Sequence, residues 1–181
     1  SRIPPTPGQN IYLSIDIRLQ AVAEKALEGY NGAMVALDPR NGEVLALASQ
    51  PLYDPNPFVN GIDFASYQKL NTSKDKPLLN RALRGMYPPG STIKPLMALA
   101  GLDYGVVNRY SRVFCPGFYR LPGVSHKFRD WKHGGHGSVD MDRAIAQSCD
   151  VYFYDLALNI GIDRIHDFLD QFSMGRPTGI D

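Results

Sequence analysis

Residues 87–95 read Tyr87-Pro88-Pro89-Gly90-Ser91-Thr92-Ile93-Lys94-Pro95, and the chain stays apolar from there to Tyr104. Ile93, Leu96, Met97, Leu99, Ala100 and Leu102 fall almost all round a helical wheel, so the spacing predicts a helix over 90–104 buried inside a domain. Pro95 lies in its first turn, where a missing N–H is tolerated, and Gly105 ends it. Ser91 and Lys94 stand three apart and share one helix face. A hydroxyl at a helix N-terminus sits where backbone N–H groups favour developing negative charge. An amine one turn further on, against an apolar wall, is a candidate general base for that hydroxyl. Spacing alone does not decide this, because Ser66 with Lys69 and Ser73 with Lys76 repeat it. Those copies lie in polar surroundings and read as solvated; only the Ser91 copy opens a buried helix.

Outward from this stretch, the 181 residues amount to about one domain. Hydrophobic residues make up 44% and the net charge is +1, so the chain can bury a core and carries no strongly basic surface for nucleic acid. No apolar run approaches the roughly 18–20 residues of a membrane span, and no signal peptide opens the chain. Residues 1–10 hold three prolines and a glycine and read as a linker or edge segment. Residues 11–15 suit a strand. Asp16 is an N-cap candidate for a helix that Gly29 stops. Runs at 32–38 and 43–49 flank Asp38-Pro39-Arg40-Asn41-Gly42, a hairpin signal, and their near-continuous apolarity predicts cover on both faces. Residues 50–84 read as irregular, broken by Pro51, Pro55, Pro57 and Pro77, with one short helix at 64–70. Residues 106–137 show little periodicity. Short helices are expected at 139–146, 151–160 and 163–172, the last presenting Ile162, Ile165, Phe168 and Leu169 on one face.

Ser148-Cys149-Asp150 falls between two of these helices, where a hydroxyl and a carboxylate two apart can point into one cleft. Ser14-Ile15-Asp16 and Ser138-Val139-Asp140 share the pattern, and a plain helix cap is the bland alternative.

Together these motifs resemble the class B penicillin-binding transpeptidases, and most of all those of Gram-negative rod elongation. The resemblance rests on residues 87–95, Ala36-Leu37-Asp38-Pro39 with Gly42-Glu43-Val44-Leu45-Ala46, Tyr53-Asp54-Pro55-Asn56, Asn80-Arg81-Ala82, Phe128-Arg129-Asp130-Trp131-Lys132, Gly135-His136-Gly137 and Ser148-Cys149-Asp150. It implies an α+β fold, an antiparallel sheet flanked by helices with a helical subdomain, of which residues 11–181 are the N-terminal part. It also implies acyl transfer with no required cofactor. Ser91 is the nucleophile toward a D-Ala-D-Ala stem peptide of peptidoglycan and toward β-lactams, Lys94 takes its proton, and Ser148 relays a proton to the leaving nitrogen. The partners implied are stem peptides, β-lactams, a membrane glycosyltransferase and elongation scaffold proteins, in a periplasmic domain anchored to the inner membrane. Two features depart from the family pattern. Asp150 stands where most members have Asn, and an ionised acid donates no hydrogen bond. No Lys-Ser/Thr-Gly triplet occurs, so a fragment is expected. A serine β-lactamase, a β-lactam sensor and an inert fragment are the competing readings.

Cys115, Asp130, His136 and Cys149 are all of zinc-ligand type. Soft thiolates with an imidazole and a carboxylate suit tetrahedral Zn²⁺, and a closed site would pin the loop-rich segment between the motifs. A Cys115–Cys149 disulfide and two unpaired thiols are the alternatives. His126 and His133 are substitute ligands, His166 a bystander, and Trp131 packing near the cleft.

Overall fold

The structure is a computed structural model and describes residues 8–180. Residues 1–7 of the expected linker lie outside the described residues, and 8–10 form no regular element. The chain divides into two compact units, one up to Tyr87 and one spanning Pro88–Gly179.

In the first unit, α1 (Ile17–Ala26) lies on a hairpin of β1 (Gly32–Leu37) and β2 (Val44–Gln50). Asp16 caps α1 by accepting from the N–H groups of Arg18 and Leu19. Ala23 meets Ala46 and Ala48 with Leu27 and Ala36, so small side chains bring helix and sheet close. The Gln20 side chain serves as a strand substitute. Its Oε1 accepts from Leu47 N at 2.7 Å and its Nε2 donates to Leu47 O at 3.1 Å. The strands pair antiparallel, as expected, with a register shift at Ala36/Leu37. The Asn-Gly pair does not form a two-residue turn; the loop is longer, and only Gly42 takes positive φ. Among the described residues nothing covers β1 residues 33–35, which are exposed. Residues 11–15 are not a strand either. Ile11, Tyr12 and Leu13 are exposed among the described residues, and Ser14 Oγ donates to Val44 O. The 50–84 stretch holds three short helices, α2 (Asn56–Val59), α3 (Phe64–Asn71) and α4 (Arg81–Arg84). Buried Arg81 binds it together by donating to the carbonyls of Asp75 and Lys76.

In the second unit, Gly90–Ile93 form a 3₁₀ turn that leads into α5 (Lys94–Asp103). The single helix expected over 90–104 is thus two pieces. Leu99 and Leu102 are exposed, so α5 is buried on one side only. The aperiodic region carries four strands of two or three residues: β3 (Val113–Cys115), β4 (Phe118–Tyr119), β5 (Phe128–Arg129) and β6 (Gly137–Val139). β3 pairs with β6 and β4 with β5, both antiparallel. The helix expected from 139 starts two residues later, as α6 (Met141–Ala146), because Val139 pairs in β6 and Asp140 is the cap. α7 (Asp150–Ile160) and α8 (Ile162–Asp170) follow. Of the face expected on α8, Phe168 is buried and Ile165 and Leu169 half-buried, but Ile162 is exposed.

The core of this unit forms where α7 crosses α5 beside β3 and β6. Val151, Tyr152, Leu156 and Ile160 pack with Met97, Ala98, Ala100, Cys115 and Val139. Gly101 lets Leu156 approach: a Cβ there would meet Leu156 Cδ1 at 2.8 Å and Val107 Cγ2 at 2.9 Å. Leu156 is 1% exposed. Leu156→Ala is therefore expected to lower unfolding free energy by about 2–4 kcal/mol in denaturant melts. A loss below about 1 kcal/mol would mean that the α5–α7 contact is not what holds this unit.

Candidate functional site

The 3₁₀ turn explains how Ser91 and Lys94 come together. Residues i and i+3 eclipse in a 3₁₀ turn, so the two side chains stack on one face. Positive φ at Gly90 (55°) admits the chain into that turn. Ser91 is exposed while Lys94, the first residue of α5, is 7% exposed.

A buried amine needs acceptors, and Lys94 Nζ has three. It donates to Ser148 O at 2.8 Å, to Ser148 Oγ at 3.0 Å and to Asp150 Oδ1 at 2.6 Å. Three acceptors match the three N–H groups of an ammonium. The Phe153 ring lies 5.6 Å from the same nitrogen. Ser148 Oγ in turn donates to Ser91 Oγ at 2.9 Å. The path from the Ser91 hydroxyl to the amine thus runs through Ser148. Ser91, Lys94 and Asp150 line a cleft of about 470 Å³ whose walls include Met97, Phe153 and Ile165.

Ser148 reaches this position through an unusual backbone. α6 ends in a Schellman motif, with Ser148 N donating to Ile145 O at 3.1 Å and Cys149 N to Ala144 O at 2.9 Å. Ser148 holds the position where glycine is usual, at φ 52°. A side chain in this left-handed region costs roughly 1 kcal/mol. Its neighbour Cys149 opens α7 without a side-chain cap bond. The cap comes from Asp130, whose Oδ2 accepts from Asp150 N at 2.8 Å and from Val151 N at 3.2 Å. Trp131 N donates to Asp150 Oδ2 at 3.1 Å. Asp150 therefore uses one oxygen for the amine and the other for the loop. As an acceptor at this position it does work that an Asn amide nitrogen would not.

The four residues of zinc-ligand type converge. One ligand atom from each of Cys115, Asp130, His136 and Cys149 lies within 4.8 Å of all the others, and all four are buried. Both thiols sit 3.4 Å from Asp130 Oδ2, Cys115 Sγ lies 3.7 Å from His136 Nδ1, and that nitrogen lies 3.4 Å from Asp130 Oδ1. Ligand bonds of 2.0–2.3 Å give a tetrahedron with edges of roughly 3.3–3.8 Å; the four donors, all within 4.8 Å of one another, are of the right kind and near enough to draw in around an ion. One feature fits less well, because His136 Nε2 is buried with no partner among the described residues, whereas a metal-bound imidazole usually donates from its second nitrogen. Gly117 and Gly135 bring the pieces together. A Cβ on Gly135 would meet Cys115 O at 2.2 Å, and one on Gly117 would meet His133 O at 2.5 Å. Burial pushes the Cys149 thiol up to about 12. Burial also pushes Asp130 upward, but N–H bonds from Lys132 and Val151 and the two thiols outweigh it and hold the carboxyl below its usual range.

The cysteines are free, so the disulfide alternative is not formed. His126 and His133 are exposed outside the cluster, and His166 sits on the surface beside Asp167. Ser66 and Lys69 lie on the exposed face of α3, Lys76 is exposed, and Asp16 and Asp140 are caps. Trp131 departs from its expected packing role: it is 65% exposed, and its indole Nε1 donates to Gln147 O at 3.0 Å. Sequence reading missed this bond and the Asp130 cap, since each joins residues far apart in the chain.

Known proteins share this arrangement of the chain. The penicillin binding protein transpeptidase domain matches residues 32–181. The chain is 53% identical over 180 residues to the peptidoglycan D,D-transpeptidase MrdA of Acinetobacter baumannii, covering 99% of this chain and 27% of that protein. The crystal structure of Pseudomonas aeruginosa PBP2 in complex with WCK 5153 superposes with a TM-score of 0.88 at 57% identity, covering 96% of this chain and 38% of that one. A complex between penicillin-binding protein PBP2 and MreC from Helicobacter pylori gives a TM-score of 0.83 at 39% identity, covering 90% of this chain and 30% of that one. The chain thus spans between 27% and 38% of the length of these relatives. With the match running from β1 through α8, the chain belongs to the penicillin-binding protein transpeptidase family.

Proposed function

We propose that residues 11–181 are the N-terminal part of the catalytic domain of a peptidoglycan D,D-transpeptidase. The observation that carries this reading is the chain of contacts from Ser91 through Ser148 to Lys94 and Asp150 at the mouth of one cleft. The name of the A. baumannii relative supports the activity.

Ser91 Oγ attacks the carbonyl of the penultimate D-alanine of a stem peptide. Its proton passes to Ser148 Oγ, and the Ser148 proton passes to Lys94. In its neutral form the amine keeps two N–H groups for Ser148 O and Asp150 and turns its lone pair to Ser148 Oγ. Receiving the proton makes an ammonium whose third N–H meets Ser148 Oγ, while Asp150 stabilises the charge. The proton returns through Ser148 to the leaving nitrogen as the C–N bond breaks and the terminal D-alanine departs. The amine of a neighbouring stem peptide then attacks the ester, forming the cross-link and freeing Ser91. β-Lactams acylate the same oxygen.

The cluster holds Zn²⁺ through Cys115, Asp130, His136 and Cys149. With four protein ligands the site is closed and structural, takes no part in acyl transfer and ties β3 and the 130–136 loop to the start of α7. The protein works in the periplasm, anchored to the inner membrane, with a membrane glycosyltransferase and scaffold proteins as partners. The MreC complex of the H. pylori relative supports the scaffold.

Intact-mass measurement on the natural-length protein with a penicillin tests the reading. A persistent one-to-one adduct is expected on the Ser91 peptide and is absent in Ser91→Ala. A folded protein without an adduct overturns the reading, and rapid loss of the adduct with consumption of the drug makes the protein a β-lactamase. Ser148→Gly is expected to cut acylation at least about 100-fold while leaving the melting temperature level or higher, because glycine relieves the left-handed strain. Metal analysis should find one zinc per chain. Stripping it should lower the melting temperature and expose a pH dependence. The folded thiol of Cys149, pushed up to about 12, keeps its proton while the unfolded thiol loses it near about 8.5. Metal-free stability is therefore fully present below about pH 8.5 and falls as pH rises above it. Restored zinc removes that fall, since the thiolate is then the bound form in the fold.

A further inference from the structure

Ser148 is flanked by two carbonyls, its own and that of Gln147, and each takes one donor. Lys94 Nζ holds Ser148 O at 2.8 Å, and the Trp131 indole holds Gln147 O at 3.0 Å. These carbonyls define the peptide planes on either side of the Ser148 Cα, so fixing both fixes the φ of 52° that aims the hydroxyl at Ser91. Among the described residues the contacts of Trp131 are directional. Its ring edge contacts His136 at a centroid distance of 5.4 Å. Its backbone N–H holds Asp150 Oδ2, so one residue grips the turn on both sides of Ser148.

We infer that Trp131 is a positioning residue for Ser148, acting through the indole N–H on the Gln147 carbonyl. The inference rests on the role given to Ser148 above. The indole N–H makes the left-handed turn rigid before substrate arrives, so that the proton path from Ser91 to Lys94 is already aligned. Without it the Gln147–Ser148 peptide plane can rotate, and Ser148 Oγ leaves Ser91 for part of the time. The effect falls on the chemical step and not on the affinity for the acylating agent.

The test uses the natural-length protein and a penicillin. Adduct formation followed by mass over a range of drug concentrations separates the dissociation constant of the non-covalent complex from the first-order acylation rate. Trp131→Phe keeps the backbone N–H and the ring beside His136 and removes only the indole donor. It should leave the dissociation constant unchanged and slow acylation roughly three- to tenfold, the value of one hydrogen bond. In a Ser148→Ala background the same change should cost nothing further, because the residue it aligns has lost its hydroxyl. Genetic incorporation of benzothienylalanine at position 131 puts sulfur where the N–H stands at nearly unchanged shape. It should reproduce the slowing, and it decides the question if the phenylalanine variant folds poorly. A lower melting temperature with an unchanged acylation rate would make Trp131 merely structural. A weaker non-covalent complex with an unchanged rate would make it a ligand contact. A further loss in the Ser148→Ala background would place its action elsewhere. Each of these overturns the inference. A wild-type protein with no Ser91 adduct would fail the proposed function and not the role of Trp131.

Discussion

Burying the amine of Lys94 imposes the constraint that organises the second unit. A desolvated amine is costly unless its N–H groups are satisfied, and all three of its acceptors come from residues 148 and 150. The turn between α6 and α7 must therefore be held against α5 with little freedom. The left-handed residue, the imported helix cap and the small residues at the α5–α7 crossing all serve that placement. Each is locally unfavourable or neutral and becomes intelligible as part of the support for one nitrogen.

That support is layered. Asp150 and Ser148 touch the amine, and Asp130 and Trp131 touch Asp150 and its neighbours. Cys115, His136 and Cys149 surround Asp130. The aperiodic, glycine-rich region thus forms the wall behind the site. Its strands are only two or three residues long, so their hydrogen bonds alone give little rigidity. The close backbone approach at Gly117 and Gly135 and the convergent side chains of the cluster supply what the strands lack.

The parts of the fold readable in the sequence are those specified locally. The Asp16 cap, the 32–50 hairpin, the short helix α3, and α7 ending at Gly161 all follow from residues close in the chain. The strands β3 to β6 do not, because two or three residues are too few to show a period of two. Residues 11–15 have the composition of a strand but form no ladder among the described residues, touching β2 through Ser14 Oγ on Val44 O. At the site, Ser91, Lys94, Ser148 and Asp150 were identifiable as a set, and so were the four residues of the cluster. Their connections were not. A glycine at position 148 would have signalled a left-handed turn, and serine hid it. The carboxylate that caps α7 lies 20 residues before the first N–H it accepts from, outside any window in which caps are sought.

With the zinc role proposed above, Asp130 would have two uses, and together they limit what can replace it. Histidine or cysteine at that position offers one ligand atom and would still complete a tetrahedral set. Neither can at the same time accept from the N–H groups of Asp150 and Val151 and align them with the start of a helix. Asparagine and serine can cap but bind zinc poorly. Glutamate has the right chemistry but is one methylene longer in a site that is buried on every side. Exchanges among ligand types that a metal site alone would accept are therefore closed at this position.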